Sequence, residues 1–281
     1  MHTVLCETVA ETHSWLQQVD YAEGVFLQEF AGRAEAGHIV LVSGGEIYSL
    51  VTNQEYKRAH NGNLGIVAGA PLGGLVEVDQ EDKYGLAREL IHPLLPWLRA
   101  VNFHGPLQVT AVKRRGQWCV IEYNIRIGVT SGAMILRLLT NPLETLLATT
   151  QNEKLSPRFG VPPSGGSDGK PPEGGTPNRF GASITLAGYG YPFTQIKGPP
   201  VPLEVVAPFN QTNADVWWSE VTRTDAGKLM AAGHRLGDFI GYGADLPGAL
   251  AKAYENIRCV RSPGSYYRTD IGQSLWPPGK E

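Results

Sequence analysis

Residues 120–126 read Val120-Ile121-Glu122-Tyr123-Asn124-Ile125-Arg126, a β-branched and aromatic run that predicts a strand. Side chains alternate along a strand, so Glu122, Asn124 and Arg126 stand on one face and Ile121, Tyr123 and Ile125 on the other. The carboxylate and the amide are then roughly 7 Å apart at their Cα atoms. Hard oxygen donors at that spacing suit Mg²⁺ (or Mn²⁺), which keeps several waters and shares its remaining positions with nucleotide phosphates. A guanidinium two residues further on can hold a phosphate bidentately. An edge strand with a polar solvent face has the same spacing, so spacing alone leaves both readings open.

Upstream, residues 25–28 and 37–42 are apolar runs that predict strands, and Ser43-Gly44-Gly45 supplies the turn before a returning strand over 46–51. Residues 60–74 form a Gly-rich loop ending at Leu75. Leu86, Leu90, Leu94, Leu95 and Leu98 recur at helical spacing, with Pro93 and Pro96 bending or interrupting the helix. Strands over 107–112 and 118–123 flank Arg114-Arg115-Gly116-Gln117 as a hairpin whose basic tip, Lys113 to Arg115, is solvated; a helix over 133–149 follows.

The segment 156–180 is dominated by Pro and Gly and reads as a flexible surface loop dividing the chain at about 155 and 181. Beyond it, residues 182–187, 216–222 and 234–242 predict strands, and Trp217-Trp218 reads as part of a packed strand or an interface rather than a cofactor stack. Leu250, Ala253, Tyr254 and Ile257 mark an amphipathic helix over 246–260. Strands followed by helices in both parts predict an α+β fold.

The chain has 281 residues, 42% of them hydrophobic, enough for a sizeable core. Its 24 Lys and Arg against 27 Asp and Glu give a net charge of -3 without a block of like charge, which argues against a nucleic-acid partner. Cys6, Cys119 and Cys259 lack CxxC spacing and read as reduced thiols, and the seven histidines lack HxxxH or HxH spacing. No run has membrane-spanning length, so the expected setting is the cytoplasm, with no membrane partner.

Several motifs resemble one family, in order along nearly the whole chain. VIEYNIR looks like the VIEFNxRFGDPE signature of phosphoribosylamine-glycine ligase (glycinamide ribonucleotide synthetase). FLQEFAGRAEAGHIV (26–40) resembles its adenine hinge, and Gln54-Glu55-Tyr56-Lys57-Arg58 its QDHKR motif. The loop 62–74 lies where its GPNTGGMG loop lies; ITLAGYGYP (184–192) resembles VxLAxxGYP, residues 232–237 resemble GGRVLGV, and YYRTDIG (266–272) resembles YYRxDIG.

The resemblance implies a partial ATP-grasp domain, the C-terminal lobe, over 1–155, the loop over 156–180, and a small α/β C-terminal domain over 181–281. It implies ATP and Mg²⁺ as cofactors, with the backbone of Glu29, Phe30 and Ala31 facing adenine and Glu35 taking the ribose hydroxyls. Glu122 and Asn124 become the metal ligands, Arg126 lies near the transferred phosphate, and Lys57 and Arg58 face phosphate or sugar. The implied reaction makes an acyl phosphate from glycine and ATP, which the amine of phosphoribosylamine attacks.

Three departures bear on that carry-over. Met1 falls where the family has passed its N-terminal domain and the lysines that hold ATP phosphates, so the missing half is expected either from a truncated gene model or from a second polypeptide as partner. Gly128-Val129-Thr130-Ser131 replaces GDPE, and residues 67–73 replace NTGGMG; Gln28 also replaces an acidic hinge residue. The expectation is an ATP-dependent carboxylate-amine ligase, incomplete as an isolated chain; the alternative is a non-catalytic nucleotide-binding or scaffold relative.

Overall fold

The computed structural model describes residues 4, 6, 8–32, 35–160, 178–194 and 198–273. Most of the Pro/Gly-rich loop, 161–177, therefore lies outside the described residues. After α1 (Val9–Leu16), which buries none of its residues, the chain enters β1 (Glu35–Ser43) and β2 (Glu46–Glu55). A small hairpin follows, β3 (Arg58–His60) with β4 (Leu64–Val67), and then β5 (Gly73–Val78). Residues 87–100 are helical throughout: π-helical at Ala87–Ile91, 3-10 at His92–Leu94, and α-helical in α2 (Leu95–Ala100). Pro93 and Pro96 donate no backbone hydrogen bond, so this bent helix is what the sequence requires.

Next come β6 (Gly105–Arg114), β7 (Gln117–Asn124), α3 (Val129–Leu138) and α4 (Pro142–Thr150). The second part supplies β8 (Phe180–Ala187), β9 (Val201–Pro202), β10 (Glu204–Val205), β11 (Ala214–Trp218), β12 (Val221–Arg223) and β13 (Leu229–Ala231). It closes with β14 (Arg235–Gly243), α5 (Leu246–Ile257) and β15 (Val260–Arg261).

Among the described residues the main sheet runs β11-β14-β8-β5-β2-β1-β6-β7, with every neighbouring pair antiparallel. Strands from before and after the Pro/Gly-rich segment meet in it, through the β5–β8 pairing of Val76 with Gly181. Helices cover both faces. On one, Met134, Ile135 and Leu138 of α3 pack on Ile39, Leu41, Val51 and Val76. On the other, the 87–100 run packs on Val40, Val42, Leu107 and Val109, and α5 packs on Ile184 and Phe239. Truncating Met134 to Ala in such a core costs about 2–5 kcal/mol. Gly241 allows the close approach of α5, because a Cβ there would run into the Ala249 carbonyl. Trp218 packs against Phe209 and Phe239, in the packed strand expected of it.

Several sequence expectations need correction. Residues 25–28 are not a strand; their apolar side chains stay exposed, with Phe26 and Leu27 beyond 70% accessible. The stretch read as a Gly-rich loop contains the β3–β4 hairpin and the start of β5. Gly73 and Gly74 hid that strand from a propensity reading, yet they are needed, because Cβ atoms there would press on Ile271 and Thr130. The single helix over 133–149 is two helices, since Leu139 is extended and Pro142 starts α4 anew. The strand over 216–222 is β11 and β12, separated at Ser219 and Glu220.

Candidate nucleotide and metal site

β7 is the last strand of the main sheet. Its pairing with β6 places Glu122 opposite Thr110 and Asn124 opposite Gln108, with a bulge at Ile121. Two residues apart, Glu122 and Asn124 therefore share a face, as the alternation predicted. The same face continues inward: Thr110 pairs with Gly37 of β1, and Gly37 pairs with Asn53 of β2. Alternation adds Glu35 and Glu55. One face of the sheet is thus apolar where α3 covers it and polar toward the ends of β1, β2, β6 and β7.

Lys57, just beyond β2, joins these strands electrostatically. Its Nζ donates to Glu35 Oε1 at 2.7 Å and lies 3.9 Å from Glu122 Oε1 and 4.0 Å from Glu55 Oε2. Burial pulls the ammonium pKa down, but the charges of Glu35, Glu55 and Glu122 outweigh it and the pKa is raised. Glu55 is pushed the opposite way for a carboxylate: burial raises its pKa, and Lys57 only partly offsets that. The sequence reading missed Glu55, Asn53, Gln108 and Thr110 as site residues. For Gln108 and Thr110 the signal was present as polar residues alternating with Leu107, Val109 and Ala111; for Asn53 and Glu55 it was masked, because Thr52 and Gln54 make that end of β2 polar on both faces.

The remaining expected residues are dispersed. Arg58 turns its Nη1 to the Gly65 carbonyl, 2.7 Å away in the β3–β4 hairpin. Glu29 pairs with Arg114 at 2.7 Å, tying the 24–32 segment to the tip of the β6–β7 hairpin; a side-chain hydrogen bond from Arg114 lowers its pKa. Phe30 is half exposed and Ala31 partly buried. Arg126 is exposed beyond the end of β7, where its charge reaches Glu55.

A second titratable cluster, His38, Asp79 and Asp82, is buried on the opposite face. His38 Nδ1 is 2.9 Å from Thr52 Oγ1, and Thr52 donates to Asp79 Oδ2 at 2.7 Å. Asp79 and Asp82 accept backbone N–H groups of Lys83, Ala87 and Arg88. Burial lowers the His38 pKa; because the Thr52 hydroxyl donates to Asp79, it accepts from His38 Nδ1–H, and His38 Nε2 has no partner among the described residues.

Residues 182–274 match the family described as "Phosphoribosylglycinamide synthetase, C domain". The chain is 28% identical to the phosphoribosylamine-glycine ligase of Mycobacterium bovis over 88% of its own length and 55% of that protein. It is 26% identical to that of Synechocystis over 89% and 57%. The chain thus spans about half the length of these curated relatives. The crystal structure of the Thermotoga maritima phosphoribosylamine-glycine ligase superposes with a TM-score of 0.65 at 25% identity, covering 86% of this chain and 56% of that one. A Campylobacter jejuni biotin carboxylase solved as a β,γ-ATP complex shares the fold, with a TM-score of 0.54 at 11% identity over 83% of this chain and 47% of that one. The chain is therefore similar to phosphoribosylamine-glycine ligases over about half of their length, with a partial ATP-grasp α+β fold and a match over residues 182–274 to the C-domain family.

Proposed function

We propose that the chain takes part in ATP-dependent carboxylate-amine ligation of the phosphoribosylamine-glycine ligase type, in the cytoplasm. The observation that supports this is the convergence of Glu35, Glu55, Glu122 and Asn124 around Lys57 on one sheet face. Oxygen donors at an open strand edge fit a hard divalent cation, so Glu122 and Asn124 are the residues to hold Mg²⁺ or Mn²⁺. When bound, that ion would neutralise charge developing on the transferred phosphoryl group.

The chain's own residues then bind and orient. Glu35 accepts from ribose hydroxyls once Lys57 releases it, and the Glu29 to Ala31 backbone faces adenine. Lys57, already raised to a firmly charged state, is placed to meet phosphate oxygens, with Arg126 beside them. A glycine carboxylate oxygen takes the γ-phosphoryl group, leaving ADP. The phosphoribosylamine nitrogen attacks the acyl carbon, forms the amide and expels phosphate. Arg58 reaches substrate only by leaving Gly65.

Phe26, Leu27, Ile121 and Ile125 are exposed apolar side chains near this edge of the sheet, and they support a further polypeptide completing the cleft. A second reading, a binding relative without turnover, is favoured by Val129, Thr130 and Ser131 in place of the acids and proline of GDPE.

Calorimetry with Mg²⁺ and ATP tests the site: binding is expected, and equal binding by Glu122→Ala would remove Glu122 from the metal role. A product assay with glycine and phosphoribosylamine, with and without the N-terminal half of a relative, separates the two readings. Turnover only in the complemented mixture supports the ligase; nucleotide binding without turnover in both supports the second.

A further inference from the structure

One strand inward from Glu122 and Asn124 lies a cavity of about 10 Å³ lined by Glu35, Gly37, Asn53, Glu55, Gln108 and Thr110. That volume suits a single water-sized guest. Three of the lining side chains are almost wholly buried: Asn53 is 1% exposed, Gln108 2% and Thr110 4%. Asn53 Oδ1, Gln108 Oε1 and Thr110 Oγ1 have no hydrogen-bond partner among the described residues. Gly37 keeps the space open, because a Cβ there would meet Asn53 Oδ1 and lie 3.2 Å from Gln108 Nε2. Glu55 Oε1 and Gln108 Oε1 both flank Gly128, 3.0 and 3.4 Å from the point its Cβ would occupy.

Buried polar atoms in folded proteins almost always have partners, so a cluster of unpartnered oxygens around one small cavity calls for a guest that accepts lone pairs. A water molecule can donate to Asn53 Oδ1 and Gln108 Oε1 and accept from the Thr110 hydroxyl, but it brings no positive charge to the buried Glu55 carboxylate beside them. Mg²⁺ keeps several of its waters and an octahedral shell, for which the cavity has no room. Charge points the same way. Glu35 is committed to Lys57 at 2.7 Å, which leaves Glu55 as the carboxylate available to balance one positive charge. We propose that this cavity binds one monovalent alkali cation, Na⁺ or K⁺, through oxygens of Asn53, Gln108, Thr110 and Glu55. The site goes beyond the ligase reading, because it requires neither nucleotide nor Glu122.

The test compares thermal unfolding of the full chain in NaCl, KCl and N-methylglucamine chloride at equal ionic strength. One of the two alkali salts should raise the midpoint saturably, by about 4 °C at roughly ten times its Kd. Asn53→Leu and Gln108→Leu should each abolish that response, with midpoints in N-methylglucamine at or above the parent's, since removing an unpaired buried acceptor is neutral or stabilising. Glu122→Ala should keep the response, so failure of the metal role of Glu122 and failure of this proposal are told apart. An equal response to all three chlorides overturns the proposal in favour of a buried water, as does a response that survives both leucine variants. A response to Mg²⁺ alone that Glu122→Ala removes also overturns it. Should the leucine variants fail to fold, crystals of the parent protein soaked in Tl⁺ decide: anomalous density in the cavity is expected, and density absent there sinks the site.

Discussion

Two buried polar clusters in this molecule are built to opposite rules. Around Arg268, which is 1% exposed, every group is answered. Its Nε donates to Asp270 Oδ1 at 2.8 Å, Nη1 to the Arg58 carbonyl at 3.1 Å, and Nη2 to Asn63 Oδ1 at 2.9 Å and Asp270 Oδ2 at 2.7 Å. The guanidinium also lies over the Tyr56 ring, 5.0 Å from its centroid. Asp270 accepts from the Gly62 N–H, and Asn61 and Thr269 bond reciprocally. The YYRTDIG segment thereby clamps the β3–β4 hairpin onto the fold. On the Glu122 face, by contrast, Asn53, Gln108, Thr110 and Ser131 carry oxygens without a partner among the described residues, and three carboxylates crowd around Lys57. The first cluster spends its polarity on holding chain to chain. In the proposed reading, the second keeps its polarity for a ligand.

That contrast breaks most visibly at Arg268. Arg268→Leu leaves Asp270 and two carbonyl-type acceptors without their donor and should cost about 3–5 kcal/mol in urea unfolding, with faster amide exchange over residues 61–67. A loss below about 1 kcal/mol would mean the clamp is ornamental. On the other face the effects should be on ligands and not on folding. Glu122→Ala should weaken Mg²⁺-ATP binding about tenfold or more by calorimetry, while its thermal midpoint stays close to the parent's.

Lys57→Met sharpens the comparison further, because it removes the internal cation shared by three carboxylates. Mn²⁺ alone, followed by water-proton relaxation, should bind about threefold or more tighter, and ATP about fivefold weaker; tighter binding of both would show that Lys57 only obstructs the site. The smallest effect is expected at Glu55. Its pKa in the fold lies above 4.5, its ordinary value, chiefly because of burial. The native state therefore holds the proton longer than the unfolded chain, and stability falls as pH rises from about 4.5 to the folded value, then stays level. Glu55→Gln should flatten that slope in ion-free buffer and stabilise the protein slightly at pH 7; an unaltered slope would place the titration elsewhere.

Much of the site was legible locally. Glu122 and Asn124 share a face because a strand alternates, and only the bulge at Ile121 interrupts the pattern. Lys57 and Arg58, adjacent in sequence, were read together, yet one reaches three carboxylates and the other a hairpin carbonyl. Adjacent residues leave the chain in different directions, and which direction meets a partner depends on strands far away. Glu55 stayed hidden for the same reason, since its neighbours Gln108 and Ser131 come from β6 and α3. The β5 strand was hidden by its own glycines, whose cause lies in Ile271 and Thr130 across the fold.

By itself the sequence determined the strand and helix periods, the bend imposed by Pro93 and Pro96, and the single polar face of residues 122–124, because these follow from backbone geometry and nearest neighbours. Only the tertiary structure decided that strands from both sides of the Pro/Gly-rich segment share one sheet, and that three carboxylates from three strands meet one lysine. Those outcomes depend on register between segments more than a hundred residues apart, such as Val76 with Gly181, and register is set by the packing of whole faces, which no local pattern carries.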